Sequence, residues 1–306
     1  MRRLALCLLL LPPLTGCYIL VQAQGQLRML LTSQRIDDLL ADPRVPDATK
    51  LKLLFVRDVK SFGEHQLGLS RSNNYETFYD TQGKPITYVV SACRKDRFQQ
   101  HTWWFPIIGD VPYKGFFARE DAVAEAKELE KEGLDVSLGT AAAYSTLGYF
   151  PDPVLSTMLK YPDEQLAALL LHELTHGTIY LPGGTDFNEG LASFVGWQGA
   201  LEYARWKHGI HSPQYDRTVR AFAAEERRDV KARELFKKLE ELYKANLPRD
   251  QVLKERERIA GGPVNNAEIL MMRRYGRYDA FRDRFEQAQG DWKTFFEGLV
   301  RDKGGL

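Results

Sequence analysis

Two histidines and a glutamate lie close together in the segment Leu169–His176, which reads Leu-Leu-Leu-His-Glu-Leu-Thr-His. If the segment is helical, His172 and His176 are four residues apart and share one face. Their imidazoles can then supply two of the ligands of a tetrahedral zinc ion. Glu173 leaves the helix in a neighbouring direction, so its carboxylate can reach a water on the metal without being a ligand. The pattern predicts metal-assisted hydrolysis with Glu173 as the general base.

A third ligand is expected, because catalytic zinc sites usually have three protein ligands and leave one position for water. Glu189 follows His176 by thirteen residues, and Pro182-Gly183-Gly184 between them predicts a turn. A second helix could therefore present Glu189 to the same metal. The alternative is a capping box, since Asp186 and Glu189 have its spacing and the glutamate would then bind only its own helix.

The helix that carries the motif is predicted to be buried. It begins near Pro162-Asp163, and leucine and alanine cover almost its whole circumference between Leu166 and Leu174. Unpaired charge in such a place costs several kcal/mol as a rough guide, and a metal would compensate for it. The alternative is a chance HExxH pattern on an ordinary core helix.

The remaining elements predict an α+β fold, mostly helical, with a small mixed or antiparallel sheet packed on the HExxH helix. Helical periodicity indicates helices over 18–40, 47–69, 119–132 and 215–243, and a further one beginning near Ala267 after Asn265-Asn266. Short β-branched or aromatic runs predict four strands: Ile86–Ala92, Trp103–Ile108, Val111–Phe117 and Leu134–Leu138.

The N-terminus has the pattern of a bacterial lipoprotein signal. A basic start with Arg2 and Arg3 precedes an apolar run from Leu4 to Leu11 and then Leu14-Thr15-Gly16-Cys17. The run is shorter than the ~20 residues that span a bilayer. We expect cleavage after residue 16 and lipidation of Cys17. The alternative is an ordinary signal with an accidental cysteine.

We expect residues 17–306 to form one domain in the cell envelope, facing the periplasm. Its parts are a helical start (18–70), a sheet region (about 75–150), metal-site helices (163–208) and a helical C-terminal part (213–306). Tyr18 after the lipidated cysteine, where an aspartate would retain the protein in the inner membrane, favours the outer membrane.

The charge balance argues against a nucleic-acid-binding protein, and the cysteine content argues against a disulfide-stabilised one. Removing residues 1–16 takes two of the 42 basic residues and no acid, which leaves 40 basic and 41 acidic side chains and no sign of nucleic-acid binding. Only Cys93 then remains besides the predicted lipid site, so no internal disulfide can form. We interpret Cys93 as a small core residue.

Several further segments carry a family resemblance: Trp104–Gly109, Tyr113–Phe117, Ala143–Phe150 with Asp152-Pro153, and Phe187-Asn188-Glu189. With the HExxH segment, they resemble the zinc aminopeptidase lipoproteins of Gram-negative bacteria, which are related to the gluzincin metallopeptidases. The resemblance covers most of the mature chain. It implies one zinc ion held by His172, His176 and Glu189, with Glu173 as the base, and aminopeptidase activity on peptides.

One position departs from the pattern of thermolysin-like enzymes. They place an aspartate four residues after the ligand glutamate to orient a histidine, and this chain has Ser193 there. The sequence suggests that Asn188 orients the metal-binding histidine instead, or that this histidine is held less firmly.

The donor that stabilises the oxyanion is not fixed by the motif. Tyr144 is the first candidate, because Ala141–Phe150 directly precedes the metal helix and could form an edge strand that binds extended peptide. The alternative is a packed aromatic residue with a surface hydroxyl. His208 and His211 are further candidates, although such histidines are more often simply exposed.

Two other functions remain open. A zinc endopeptidase, such as a quality-control protease, would use the same four residues in an open cleft. An aminopeptidase needs in addition an acid for the substrate's ammonium group, and Asp152, Glu164 and Asp186 are equal candidates. The second alternative is a lipoprotein that binds partners or peptides without catalysis.

Overall fold

The computed structural model describes residues 25, 27–105, 109–141, 151–275 and 278–301. Helices dominate, and the sheets have only two or three strands, which confirms the predicted mostly helical α+β fold. Residues 27–32 are helical (α1). The other helices are α2 (Ile36–Ala41), α3 (Asp47–His65), α4 (Arg119–Lys131), α5 (Asp163–His176), α6 (Thr185–His208), α7 (Pro213–Lys244), α8 (Arg249–Ala260), α9 (Asn266–Tyr275), α10 (Tyr278–Gln287) and α11 (Trp292–Arg301). None of the helices in these ranges is both long and apolar enough to cross a membrane.

The strands form three small sheets. In chain order they are β1 (Gln34–Arg35), β2 (Thr77–Tyr79), β3 (Tyr88–Arg94), β4 (Trp103–Phe105), β5 (Gly109–Val111), β6 (Lys114–Phe116), β7 (Leu134–Thr140) and β8 (Val154–Leu155). One sheet has the order β1-β2-β8, with β2 and β8 parallel. A second has the antiparallel order β6-β3-β7, and β4 pairs with β5 in a hairpin.

The prediction of one helix over residues 18–40 is wrong within the described part of that range. Gln34 and Arg35 form β1 and pair antiparallel with β2. Ser33 follows the preceding helix. Its backbone N–H makes a helical hydrogen bond to the Met29 carbonyl at 3.0 Å, and its hydroxyl donates to the same carbonyl at 2.7 Å and so competes for it. The helix thus gives way to a strand at the point where the Ser33 hydroxyl competes for a helix carbonyl and where β2, from a distant part of the chain, pairs with β1.

The predicted strand Val111–Phe117 is divided in two. Val111 ends β5 and pairs with β4, whereas β6 begins at Lys114 and pairs with β3. Pro112 lies between them and has no N–H for a ladder, so the run cannot continue as one strand. The last three residues of the predicted strand Trp103–Ile108 lie outside the described residues.

The two faces of β3 have different neighbours. Val90 and Ala92 are fully buried on one face and pack against α4, where the contacting residues are Ala122, Ala126 and Leu129. Val89 and Ser91 point to the opposite face because side chains alternate along a strand. This opposite face borders a large cleft. Cys93, on the same face as Val89 and Ser91 but at the far end of the strand, is fully buried, and burial raises the pKa of its thiol to about 12, which agrees with a core role.

The helices α5 and α6 pack closely along their length. Gly196 makes this possible, since a Cβ atom there would lie 2.5 Å from the Ala168 carbonyl oxygen and 3.2 Å from His172 Cβ. The turn between the helices contains Gly183 with a left-handed φ of 77°. α6 therefore returns along α5 with its first turns beside the last turns of α5.

A third helix, α3, completes the support of this pair. The leucines of α5 join it and α6 in the main hydrophobic core, in which Leu166, Leu170 and Leu171 are fully buried. Asp58 of α3 accepts hydrogen bonds from Tyr203 (2.6 Å) and Lys207 (2.8 Å) of α6. The motif helix is thus buried, as its sequence predicts.

The C-terminal helix α9 is tied to the strand β7 by a buried polar network. Asp135 of β7 accepts hydrogen bonds from the Asn266 N–H (2.9 Å) and from the Arg256 guanidinium (2.8 Å). Asn265 Nδ2 donates to the Val136 carbonyl at 2.8 Å. The start of α9 is therefore fixed to the sheet, and its far end reaches the cleft.

Candidate metal centre

Helix α5 places His172 and His176 on one face near its C-terminal end. Their Nε2 atoms are 3.2 Å apart, and the two rings are nearly perpendicular. His176 is buried, with 7% of its surface exposed, and His172 is partly buried. The spacing of the motif thus converges the two imidazoles on one point, as the sequence predicts.

Glu189 meets them from the first turns of α6. Its Oε2 atom is 3.3 Å from His172 Nε2 and 3.7 Å from His176 Nε2. All three atoms lie within 4.8 Å of one another. The capping-box alternative is not what the structure has, because Gly184 occupies the N-cap of α6 and no side chain caps it.

The three atoms have the spacing of a tetrahedral ligand set. Zinc–nitrogen and zinc–oxygen bonds of about 2.0–2.2 Å place two tetrahedral ligand atoms about 3.3–3.5 Å apart. Of the three distances in the structure, 3.3 Å lies within that range, and 3.2 and 3.7 Å lie just outside it. Two histidines and a glutamate are also the donor set of catalytic zinc sites, so the residues fit this metal in type and in spacing.

The charges in the cluster favour a cation. Burial on its own would raise the pKa of Glu189, but the contacts with His172 and His176 outweigh it and hold the pKa at about 2. Burial likewise lowers the pKa of His176, and the contact with Glu189 and the charge of Glu173 outweigh it, so that pKa is raised. Glu189 is therefore ionised at neutral pH, and the rings share a site of negative potential that suits a metal ion.

Ser193 supports His172 from behind. Its hydroxyl is 3.4 Å from His172 Nδ1, the ring nitrogen that faces away from the cluster. Asn188, the residue suggested for this role, binds elsewhere: its side-chain amide exchanges two 2.8 Å hydrogen bonds with the Leu181 backbone. That suggestion is wrong because Asn188 holds the turn before α6. His176 Nδ1 is buried without a hydrogen-bond partner among the described residues.

Two members of the cluster, His172 and Glu189, line a cleft of about 860 Å³, and the third, His176, is buried next to them. The carboxylate of Glu173 lines the same cleft, next to His172 and Glu189. The face of β3 and β7 forms the opposite side, with Ser91 and Ser137 among its residues. Among the described residues, α7 and α9 also contribute to the lining, so His172, Glu189 and Glu173 border one common volume.

Two tyrosines of the cleft were not found from the sequence. The Tyr275 ring stacks on His172 with 6.0 Å between ring centroids, and 39% of its surface is exposed. Tyr113 lines the cleft from the segment between β5 and β6. Desolvation of the phenol groups within the cleft, followed by the charge of Glu189, raises the pKa values of both tyrosines, so both hydroxyls are protonated donors at neutral pH. They come from distant parts of the chain. Tyr113 begins one of the segments that carry the family resemblance, but no local pattern marks either tyrosine as a hydrogen-bond donor of the site.

Other candidates from the sequence are not in this cleft. His208 borders a separate small pocket together with Glu164, and His211 is exposed. Asp186 pairs with Arg274 at 3.3 Å. Asp152 is buried, and its backbone N–H donates to the Asn74 side chain.

Some predictions fall on parts of the chain that the structure does not describe. Tyr144 and nearly all of the expected edge strand Ala141–Phe150 lie outside the described residues. The signal segment and Cys17 lie outside them as well. Their roles stay predictions.

Comparison with known proteins gives one positive result. Neither the curated proteins nor the solved structures contain a match to the chain. One family model matches residues 17–262, which include His172, Glu173, His176 and Glu189. Since the match covers most of the chain, the chain belongs to the family described as "Putative aminopeptidase".

Proposed function

We propose that this protein is a zinc-dependent peptide hydrolase that acts as an aminopeptidase. The observation that carries the proposal is the convergence of His172, His176 and Glu189 at a cleft that His172, Glu189 and Glu173 line. Membership of an aminopeptidase family supports the reaction class. The three residues would be the protein ligands of one zinc ion.

The chain's own residues would carry the proton transfers. Bound zinc would polarise the scissile carbonyl and lower the pKa of a water. Glu173 would accept a proton from that water as its oxygen bonds to the carbonyl carbon. As the C–N bond breaks, the same carboxyl group would donate the proton to the leaving nitrogen. One water is consumed, and Glu173 ends ionised as it began.

The developing oxyanion would receive a hydrogen bond from the cleft wall. Tyr275 is the first candidate because its ring stacks on His172 and its hydroxyl stays protonated. Tyr113 is the second, and it lines the same cleft. A donor of this kind typically contributes a factor of about 10²–10³ to kcat. Tyr144 remains a prediction from the sequence.

Substitution of the base separates metal binding from turnover. We expect Glu173→Gln to keep one zinc per chain and to lose hydrolysis, since an amide cannot accept the proton. His176→Ala should lose both zinc and hydrolysis. Metal analysis of the purified proteins and an aminoacyl anilide assay provide the two readouts. Hydrolysis by pure Glu173→Gln would rule out the assigned base, and a wild-type protein without zinc would favour a binding protein.

An endopeptidase is the second candidate, and one observation favours it. None of Asp152, Glu164 and Asp186 lines the cleft, so the acids suggested for the substrate's ammonium group are not available there. Free and N-acetylated peptides of one sequence distinguish the two activities. An aminopeptidase cleaves only the free peptides, whereas an endopeptidase cleaves both.

We also propose that the protein is lipid-anchored at Cys17 on the periplasmic side of the outer membrane. The basic start, short apolar run and cysteine of the N-terminus support this. Cys17→Ser should move the protein from the membrane fraction to the soluble fraction of cells. An unchanged membrane fraction would contradict lipidation at this residue.

A further inference from the structure

The cleft continues beyond the candidate metal centre along α5 and α6. On α6, Glu189, Ser193 and Trp197 follow at intervals of four residues, and all three line the cleft. On α5, Leu169 lines it three residues before His172. The part of the cleft beyond the metal centre is its second end. At 1.5 Å per residue, Leu169 lies about 5 Å from His172 along the helix, so the second end begins there. A side chain next to the scissile bond can reach it.

The walls of this second end are mainly apolar and aromatic, with Gln165 of α5 as a polar residue among them. We call it the aromatic chamber, and it is formed by Tyr161, Leu169, Trp197, Ala221, Ala224 and Tyr278. The Trp197 ring is held by a parallel stack on Phe222, with 5.9 Å between centroids and 5° between planes. Phe222 in turn contacts Tyr278 edge to face at 5.8 Å. The walls are therefore fixed by packing behind them before any ligand binds.

Helix α7 leaves room in the chamber. It contributes Ala221 and Ala224, whose small side chains occupy the face that looks across to Trp197. The charged residues next to them are Glu225 and Arg228, which form an ion pair with each other. Their charges compensate each other, so the chamber offers an apolar volume rather than a partner for a charged group.

We propose that the aromatic chamber binds a large apolar side chain, aromatic or long aliphatic, of the residue on one side of the scissile bond. This inference rests on the proposed peptide hydrolysis at the adjacent metal centre. Burial of such a side chain against fixed aromatic walls is favourable in proportion to its apolar area. A small, charged or strongly polar side chain at the same position would leave the chamber partly filled or bury an uncompensated polar group.

Two peptide series test the inference with the zinc-loaded full chain. One series is X-Ala-Ala amide and the other Ala-X-Ala amide, where X is Ala, Leu, Phe, Lys or Glu. We expect kcat/KM for Phe or Leu to exceed that for Ala by about tenfold or more in one series. Equal rates for all X in both series, or a preference for Lys or Glu, would overturn the inference and leave the proposed hydrolysis standing.

A matched pair of variants locates the preference in the chamber. Ala224→Leu fills the chamber, and we expect it to reduce the Phe:Ala ratio of kcat/KM by about tenfold. Ala223→Leu makes the same change at the preceding residue of α7, which is not among the residues that line the cleft. This variant should keep the wild-type ratio. Ala221→Leu serves as a second filling variant if Ala224→Leu does not fold. Equal ratios in the filling variants and the control would overturn the inference.

Binding provides a readout that does not depend on turnover. Calorimetry with phenylalanine hydroxamate and alanine hydroxamate should show tighter binding of the phenylalanine compound to the wild type. That difference should shrink in Ala224→Leu and persist in Ala223→Leu. A protein that holds no zinc and cleaves no peptide would overturn the proposed function, and the inference with it.

Discussion

The hydroxyl of Ser193 is the polar group next to the outer ring nitrogen of His172. It lies 3.4 Å from His172 Nδ1, while Nε2 of the same ring faces Glu189 at 3.3 Å. A contact on one ring nitrogen fixes which nitrogen is available to a metal. A neutral hydroxyl at this distance orients the ring with less electrostatic support than an aspartate gives.

Removal of that hydroxyl should weaken metal binding. We expect Ser193→Ala to reduce zinc affinity about tenfold, the lower end of the range for partners of a ligand histidine. Ser61→Ala is a matched control, because Ser61 Oγ is 3.3 Å from His65 Nδ1 at an exposed site. Competition with a fluorescent chelator measures both. Equal affinities in the two variants would show that Ser193 does not support the site.

The sequence predicts some residues of the site better than others for a physical reason. His172, Glu173 and His176 share one helix, and its period alone fixes their relative directions. Glu189 is also close in sequence, with a single turn between. Tyr275 reaches the site through long-range contacts of α9, such as the bond between Asn266 and Asp135 of β7, and such contacts leave no local periodicity to detect.

At the scale of elements, the contact between α5 and α6 fixes the geometry of the cluster. Gly196 has no room for a side chain, because a Cβ atom would lie 2.5 Å from the Ala168 carbonyl oxygen. That oxygen belongs to the backbone of the helix that carries His172. Any increase in the separation of the helices therefore moves Glu189 away from both imidazoles.

A single methyl group should test this contact. We expect Gly196→Ala to lower the free energy of unfolding by about 1–3 kcal/mol, as overpacking does, and to weaken zinc binding. Gly298→Ala in α11 is the control, since its Cβ would meet nothing within 4 Å. There the higher helix propensity of alanine should stabilise the protein by up to about 1 kcal/mol. Urea unfolding measures the free energy of unfolding of both variants. A Gly196→Ala protein as stable as the wild type would contradict the close packing.

Elements were predictable where their pattern is local and long. The helices α3, α5 and α7 follow the predicted ranges closely because their apolar residues repeat over several turns. β1 was missed because two residues carry no period, and their strand character comes from pairing with β2. The division between β5 and β6 likewise depends on which partner each strand meets.

For the whole molecule, bound zinc should act as a stabilising ligand. A ligand at 100 times its Kd adds about 2.7 kcal/mol to the free energy of unfolding. For a chain of this size we expect the Tm to rise by about 5 °C over the chelator-treated protein. His176→Ala should show no such rise. Thermal unfolding with and without zinc measures it, and an equal rise in the variant would place the zinc elsewhere.

The attachment of α9 to β7 has a consequence for how the gene can be shortened. The stretch that matches the family ends at residue 262, and it includes all four motif residues. Met271 and Tyr275, which close one side of the cleft, come after it. A clone cut at the family boundary would therefore encode every residue of the motif and still lack a wall of the cavity in which they work.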